Sequence, residues 1–200
     1  MGHRFAEIAF TPQVRAAQTL EGSRGAYERH ESGPMTHDRL GPDEVAFLAE
    51  RDSFYLASVS ETGWPYVQHR GGPPGFLRAV DEQTLIFPDY RGNRQLVSVG
   101  NVTGDDRVSL IAVDYPNRAR IKLLGHAALV AADELAPHER YTVADPRQIE
   151  RYWRIRVEAF DWNCPKGITP RFTAAQVERV TAELRERLAR AEQRVRELGG

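Results

Sequence analysis

A succession of short β-type segments, separated by turn residues, constrains the fold of this chain more than any other feature. Each segment is four to ten residues long and rich in apolar or alternating residues. The predicted strands span residues 54–59, 65–70, 84–87, 108–113, 121–124 continuing through 127–130, and 154–162. Closely spaced short strands predict a barrel decorated by helices. Because a small barrel is filled by its own side chains, a sizeable ligand must bind outside it or between subunits.

Shorter helical signals surround these strands. Thr11-Pro12 predicts a helix start with proline at the first helical position, and Gly41-Pro42 opens a second short helix. The stretch 20–34 is rich in Gly, Glu and Arg and is expected to form a surface excursion or arm. Three other segments are each compatible with two structures. Residues 95–99 fit a helical turn or a strand, and residues 135–141 and 146–152 fit a helix or irregular structure.

The clearest helix is predicted over residues 174–198. Its apolar residues recur every three or four positions, and Glu, Arg and Gln occupy its other faces. The stripe consists of Val177, Val180, Leu184, Leu188, Ala191, Val195 and Leu198. A narrow stripe of this kind is compatible with a helix packed on the barrel or with one zipped onto a partner subunit.

Composition and charge exclude several classes of protein. A chain of 200 residues favours one domain with short appendages. The net charge of -1 gives no bulk attraction for nucleic acid, and no apolar run approaches the length of a membrane span. Cys164 is the single cysteine, which excludes an internal disulfide and a multi-cysteine zinc site. The first ten residues do not read as a signal peptide, so we expect a soluble cytoplasmic protein.

The stretch 68–77, QHRGGPPGFL, is the first candidate binding segment. A predicted strand delivers Arg70 to a loop that is almost free of side chains. Such loops let backbone amides approach a ligand closely. The alternative is a Gly/Pro-rich connection without function.

The stretch 87–95, FPDYRGNRQ, is the second candidate. Arg91 and Arg94 flank Asn93 at a glycine turn that opens a possible helix. Helix N-termini with adjacent arginines bind phosphate through amide donors, the helix dipole and the guanidinium group. A solvated charged turn is the alternative interpretation.

The third candidate, WNCPK, follows the last predicted strand. Trp162 offers a flat face to a planar heterocycle, Asn163 supplies a donor and an acceptor, and Lys166 carries a positive charge. Cys164 has no base tied to it by sequence, which favours a packed or incidental cysteine. The six histidines lack paired ligand spacing, so no metal site is expected. No Walker A loop and no GxGxxG after a strand are present.

The order of these three motifs resembles the pyridoxamine 5′-phosphate oxidase-like family of FMN-binding split barrels. The likeness is greatest to a bacterial branch that carries HRGGPPGFL, FPDYRGN and NCPK motifs, and it covers roughly residues 40–171. It implies a mainly β, Greek-key split β-barrel with peripheral helices and a long C-terminal helix. The implied domains are an N-terminal helix and arm (1–40), an FMN-binding barrel (41–172) and an amphipathic C-terminal helix (173–200).

The resemblance also implies a homodimer with two FMN sites at the subunit interface. Residues carried over to the flavin site are Gln68, His69, Arg70 and Gly71 at the strand end, Asp89, Asn93 and Arg94 near the ribityl phosphate, and Trp162, Asn163 and Lys166 from the C-terminal segment of either chain. The vitamin-converting oxidases have Ser-Arg-Lys at the turn, whereas this chain has Asn93-Arg94-Gln95. One phosphate-facing cation is therefore missing, and Arg91 is expected to compensate.

The implied function is an FMN-dependent oxidoreductase that acts on a small molecule, with a nicotinamide nucleotide or oxygen as the other redox partner. The Arg-Leu-His substrate motif of the vitamin-converting oxidases is absent, so pyridoxamine phosphate is not the expected substrate. Two alternatives remain open. One is a flavin or haem carrier without turnover, with His69 and His126 as first candidate haem ligands. The other is an F420-dependent reductase on the same fold.

Overall fold

A computed structural model describes residues 2–140, 149–162 and 165–198. These residues form helices, strands and one 3₁₀ turn (Ala132–Glu134). The helices are α1 (Arg4–Ala9), α2 (Pro12–Leu20), α3 (Arg24–His30), α4 (Pro42–Ala49), α5 (Val97–Gly104) and α6 (Ala174–Leu198). The strands are β1 (Ser53–Val59), β2 (Pro65–Gly71), β3 (Arg78–Ala79), β4 (Thr84–Tyr90), β5 (Arg107–Asp114), β6 (Ala119–Val130) and β7 (Ile149–Trp162).

The strands form one seven-stranded sheet in the order β2-β1-β5-β6-β7-β4-β3. The pairs β1–β2, β1–β5, β3–β4, β4–β7 and β6–β7 are all antiparallel. Each predicted strand is present, and the expected hairpin is confirmed as β1 and β2. The mainly β fold with peripheral helices and a long C-terminal helix is therefore confirmed.

The core lies on the inward face of the sheet. Because side chains alternate along a strand, β1 turns Phe54 and Leu56 into the core, and β7 does the same with Trp153 and Val157. Phe87 of β4 packs edge-on against Phe54 at 5.0 Å and stacks on Trp153 at 5.8 Å. This aromatic cluster fixes β4 and β7 against β1, which positions the ends of the strands that carry the candidate site.

The N-terminal region contains more helix than the sequence indicated. Thr11 accepts a hydrogen bond from the amide of Val14, so the predicted start of α2 is confirmed. The stretch 20–34, expected to be a surface excursion or arm, contains α3. Arg24 stabilises that segment by donating to both carboxylate oxygens of Glu31, at 2.7 and 2.8 Å, and to Gln18.

The segments around the last strand also differ from expectation. The segment 95–99, left open between helix and strand, leads into α5 at Val97. The last strand begins at Ile149 rather than at residue 154, so 149–152 is neither helical nor irregular. Its pairing with β4 explains the difference, since Asp89 lies opposite Arg151 and Phe87 opposite Trp153. Non-local pairing of this kind leaves no local sequence pattern. Residues 141–148 lie outside the described part of the chain.

The chain divides into two compact units. The first comprises residues 1–113 and 119–164, and the second comprises residues 114–118 and 165–200. In the second unit, the Arg171 guanidinium lies 4.9 Å from the centre of the Tyr115 ring. No helix within 2–140, 149–162 or 165–198 is long and apolar enough to span a bilayer.

Candidate functional site

A polar cleft lies where the ends of β2 and β4 meet the start of α5. It is small, about 60 Å³. Its described lining residues are Gln68, Arg70, Asp89, Tyr90, Gly92, Asn93, Arg94, Gln95, Leu96, Ser98, Val99 and Glu150. The first and second candidate motifs therefore meet here, although 20 or more residues separate Gln68 and Arg70 from the turn that follows β4.

The alternation of β2 decides which of its side chains reach the cleft. Gln68 and Arg70 lie on the partly buried face of the strand, whereas His69 lies on the exposed face. The His69 ring packs edge-on against Tyr55 of β1, with ring centres 5.6 Å apart. The strand thus presents one cation and one amide to the cleft and turns the histidine away from it.

The turn after β4 forms the opposite wall. The β4–β7 register shifts between Asp89 and Tyr90, a bulge that redirects the chain at the cleft. Asn93 accepts a hydrogen bond from the amide of Gln95, which closes a local Asx turn. Arg94 and Leu96 both have left-handed backbone conformations, with φ of 59° and 56°. Such conformations are strained for non-glycine residues and often mark ligand-binding segments.

The N-terminal end of α5 lies next to this turn and has no side-chain cap. Leu96 occupies the N-cap position and provides no side-chain acceptor for the first amides of the helix. Ser98 is buried, and its hydroxyl donates to the Gln68 side chain at 2.9 Å, which ties α5 to β2. An uncapped helix N-terminus carries partial positive charge and favours an anion.

Five side chains form an alternating ionic chain along the cleft. Arg70 contacts Asp89 at 2.9 Å, and the second Asp89 oxygen lies 3.4 Å from Arg151. Arg151 also contacts Glu150 at 3.2 Å, and Glu150 lies 3.5 Å from Arg94. This ionic chain thus contains three arginines and two carboxylates, so it carries one excess positive charge and has an arginine at each end.

Arg70 is the most constrained of these cations. Only 15% of its side chain is exposed, and its guanidinium lies 5.0 Å from the centre of a Trp153 ring. Burial lowers the pKa of Arg70, while the neighbouring Asp89 raises it, and an arginine in this position remains charged at neutral pH. Its Nε has no hydrogen-bond partner among the described residues.

The structure brings together part of the predicted site. Gln68, Arg70, Asp89, Asn93 and Arg94 line the cleft, whereas His69, Gly71 and Arg91 are absent from its described lining. The Trp162 indole donates to Glu44 at 2.7 Å and packs edge-on against Phe47, so in this chain it is held on α4. Lys166 belongs to the second compact unit and is exposed. Asn163 and Cys164 lie outside the described residues.

The glycine loop after β2 has a packing role as well. A Cβ on Gly72 would lie 2.7 Å from the buried Phe76 ring, so only glycine allows that ring to enter the core at this point. Gly75 has a φ of 87°, a conformation that favours glycine. Both residues are explained by the path of the chain towards Phe76.

Sequence reasoning missed two charged residues at the cleft: Glu150, which lines it, and Arg151, which lies between Asp89 and Glu150 in the ionic chain. Glu150 and Arg151 lie about sixty residues beyond the turn and reach it only because β7 pairs with β4. Their segment was expected to be helical or irregular, so no local signal indicated them. Tyr90 lies within the second motif, and Leu96 and Ser98 follow it directly, so these three residues could have been found from their positions.

His126, the other candidate haem ligand, lies on β6. Its Nδ1 is 2.8 Å from an Asp106 oxygen, and its Nε2 is 4.0 Å from Glu158. Neither carboxylate belongs to the cleft lining. Within 2–140, 149–162 and 165–198, no group of three or more His, Cys, Asp or Glu is arranged to hold a metal ion.

Several solved structures share similarity with this chain. A putative pyridoxamine 5′-phosphate oxidase from Lactobacillus delbrueckii is 20% identical with a TM-score of 0.49, over 62% of this chain and 94% of that one. HupZ from Group A Streptococcus is 16% identical (TM-score 0.46, 66% and 100% covered), and an F420 reductase is 19% identical (TM-score 0.42, 60% and 98% covered).

Comparison with curated protein sequences gives no match. By contrast, the sequence profile of the family described as pyridoxamine 5′-phosphate oxidase matches residues 40–163, which is more than half of the chain. The match begins just before α4 and contains all seven strands and the whole described cleft. It also agrees with the split-barrel fold expected from the motifs. The chain therefore belongs to the pyridoxamine 5′-phosphate oxidase family.

Proposed function

We propose that this protein is a homodimeric, FMN-dependent oxidoreductase of the cytoplasm that acts on a small molecule other than pyridoxamine phosphate. The observation that carries the proposal is the cleft in which Arg70 and Arg94 converge with the uncapped end of α5. Membership of the family makes a flavin nucleotide the natural ligand for such a site.

The residues present fit the phosphate end of FMN. A phosphate dianion requires two or three cations together with amide donors. Arg70 and Arg94 stand at the two ends of the ionic chain, and each guanidinium has more donors than its carboxylate partner uses. The first-turn amides of α5 supply further donors. Asp89 and Glu150 would hold the arginines in place rather than contact the phosphate.

The size of the cleft supports a shared site. At about 60 Å³ it is far below the roughly 300 Å³ of pockets that enclose a whole cofactor-sized ligand. The flavin ring would therefore lie outside it, against surfaces that a second subunit can supply. His69, Gly71, Trp162, Asn163 and Lys166 remain candidates for that part of the site.

The chemistry follows from the cofactor class. Bound FMN would itself supply hydride or electron transfer to and from a substrate. The chain would anchor the phosphate through Arg70 and Arg94, and Gln68, fixed by Ser98, would present an amide group at the edge of the cleft. A protein in this role needs to bind and orient the cofactor, so the proposal requires no dedicated acid–base pair in the cleft.

The first test is the absorption spectrum of freshly purified protein, with the released ligand identified by mass. A yellow protein that releases FMN, and that is reduced by a nicotinamide nucleotide and reoxidised by oxygen or a small acceptor, supports the proposal. A protein that releases FMN but shows no turnover with any electron donor would favour a carrier. A colourless protein with no FMN affinity would contradict the proposal, and F420 and haem would then be titrated, since their spectra differ.

A second test separates phosphate recognition from ring binding. Arg94→Gln should weaken FMN binding about 10- to 100-fold, as expected for the loss of a charge-assisted contact, and should leave riboflavin binding nearly unchanged. Arg91→Gln is the comparison, because Arg91 lies outside the described lining. An equal loss in both variants would indicate that Arg91 supplies the missing cation. No loss at Arg94 would contradict the assignment of the cleft.

A third test addresses the shared site. Chains carrying Trp162→Ala and chains carrying Arg94→Ala are each expected to lose FMN binding. If each site uses both chains, mixed dimers recover half of the sites. No recovery on mixing would contradict the shared-site proposal while leaving the phosphate cleft in place.

A further inference from the structure

The charged side chains in the described lining of the cleft balance one another. Arg70 and Arg94 are matched by the carboxylates of Asp89 and Glu150, so these lining residues carry no net charge. A phosphate that enters the cleft therefore meets two cations that already have anionic partners. Its binding depends on which carboxylate can release its arginine, because like charges at this range repel each other.

The two carboxylates differ in how firmly they are held. Asp89 is 8% exposed and bridges Arg70 at 2.9 Å and Arg151 at 3.4 Å. The contact between Glu150 and Arg94, at 3.5 Å, is the longest in the ionic chain, and the Arg94 side chain is 59% exposed. An ion pair with one partner so exposed contributes little stability, so this is the contact that an incoming anion can open.

The β4–β7 bulge explains why a carboxylate lies at this point. Asp89 pairs with Arg151 and Tyr90 pairs with Ile149, which leaves Glu150 as the extra residue of β7. Bulges beside binding sites redirect a side chain out of the regular alternation of a strand. Here the redirected side chain is Glu150, which lines the cleft and is 20% exposed.

The backbone of Arg94 is positioned without help from Glu150. The side chain of Asn93 accepts a hydrogen bond from the amide of Gln95 at 3.1 Å, and this Asx turn encloses Arg94. Arg94 itself has a φ of 59°. The turn therefore delivers the arginine to the cleft, and the carboxylate of Glu150 acts only on its guanidinium.

We infer that Glu150 is a built-in competitor for the phosphate at Arg94. The inference rests on the proposed function, since it concerns the phosphate end of FMN. On binding, Arg94 exchanges the Glu150 carboxylate for the phosphate, and Glu150 keeps its contact with Arg151 at 3.2 Å. The cleft is only about 60 Å³, so an anion inside it lies within the Debye length of about 8 Å from Glu150. Glu150 thus lowers the affinity for a phosphate dianion and has little effect on a ligand without charge.

The test compares Glu150→Gln with the wild-type protein in titrations with FMN and riboflavin, followed by flavin fluorescence. Glu150→Gln should bind FMN about tenfold more tightly at low salt, because the repulsion is removed and Arg94 is released. Riboflavin affinity should stay the same. The gain for FMN should shrink at high salt, since Arg94 is exposed to screening ions.

The matched control is Glu61→Gln, which makes the same change in net charge. Glu61 is exposed in the turn between β1 and β2 and is absent from the described lining of the cleft. This variant should bind FMN as the wild type does. In an Arg94→Gln background, Glu150→Gln should gain about threefold or less, because only direct repulsion is left to remove.

An FMN affinity that Glu150→Gln leaves unchanged or weakens would overturn the inference, and so would an equal gain in Glu61→Gln. If the wild type and Glu150→Gln both fail to bind FMN, the proposed function fails, and inorganic phosphate then tests the competitor by itself. A phosphate-dependent rise in Tm that is larger in Glu150→Gln than in the wild type supports the inference. Equal rises, or no rise in either protein, would overturn it.

Discussion

Asp89 should be one of the costliest residues to remove from this protein. Its side chain is 8% exposed and lies between Arg70 at 2.9 Å and Arg151 at 3.4 Å. Asp89→Ala would leave two largely buried guanidinium groups without their shared carboxylate. Breaking a buried ion pair by removing one partner typically costs about 3–5 kcal/mol. Since Arg151 is 25% exposed and can turn to water, we expect about 3 kcal/mol.

The assay is urea unfolding at neutral pH, analysed at constant m value. A double-mutant cycle with Arg70→Met isolates the pair, because Arg70→Met in the Asp89→Ala background removes a cation that no longer has a partner. The coupling free energy between the two positions should be at least about 1.5 kcal/mol. Asp105→Ala is the control, since its partner Arg107 is 73% exposed, and no comparable loss is expected there.

The reasoning would be refuted by a loss below about 0.5 kcal/mol for Asp89→Ala, which is the range of an ordinary surface change. Additive effects of Asp89→Ala and Arg70→Met would contradict it equally. In that case the ionic chain would be an incidental arrangement of surface groups, and its role in holding Arg70 for a ligand would also fail.

Three other predictions concern backbone and charge. Gly125→Ala should destabilise the protein by about 2 kcal/mol, because its Cβ would lie 2.5 Å from a backbone oxygen of β7. By contrast, a Cβ at Gly100 meets nothing within 4 Å, so Gly100→Ala should stabilise α5 by up to about 1 kcal/mol. Thermal unfolding of the two variants checks both predictions. Leu96→Asn should raise stability by about 0.5 kcal/mol in urea unfolding, because asparagine tolerates a φ of 56° better than leucine. Hydrogen bonds from Arg154 lower the pKa of Glu139 below its ordinary 4.5. The Glu139–Arg154 pair therefore contributes its full stabilisation above about pH 4.5, and this stabilisation is lost as the pH falls through the lower pKa of Glu139 in the folded protein. Arg154→Met should reduce this acid dependence in a pH series of unfolding curves.

Much of the fold could be predicted from local sequence. The β1–β2 hairpin, the proline-initiated helices α2 and α4, and the long helix α6 all have signals that act within a few residues: alternation, capping and apolar spacing. The order of three motifs also led to the family, because a set of spaced motifs is more specific than any of them alone. In the cleft, Arg70, Asn93 and Arg94 were found in this way.

Only the tertiary structure could decide the rest. The pairing of β7 with β4 brings Glu150 into the cleft and Arg151 against Asp89, and a contact across sixty residues leaves no local pattern. The period of two in β2 separates His69 from Gln68 and Arg70, which the sequence had grouped together. Gly72 was interpreted as part of a loop that lets a ligand approach the backbone, whereas in the structure it makes room for the Phe76 ring. The sequence by itself therefore determined the elements and the chemical types available, whereas packing determined which side chains share a site, because strand register and burial depend on partners far along the chain.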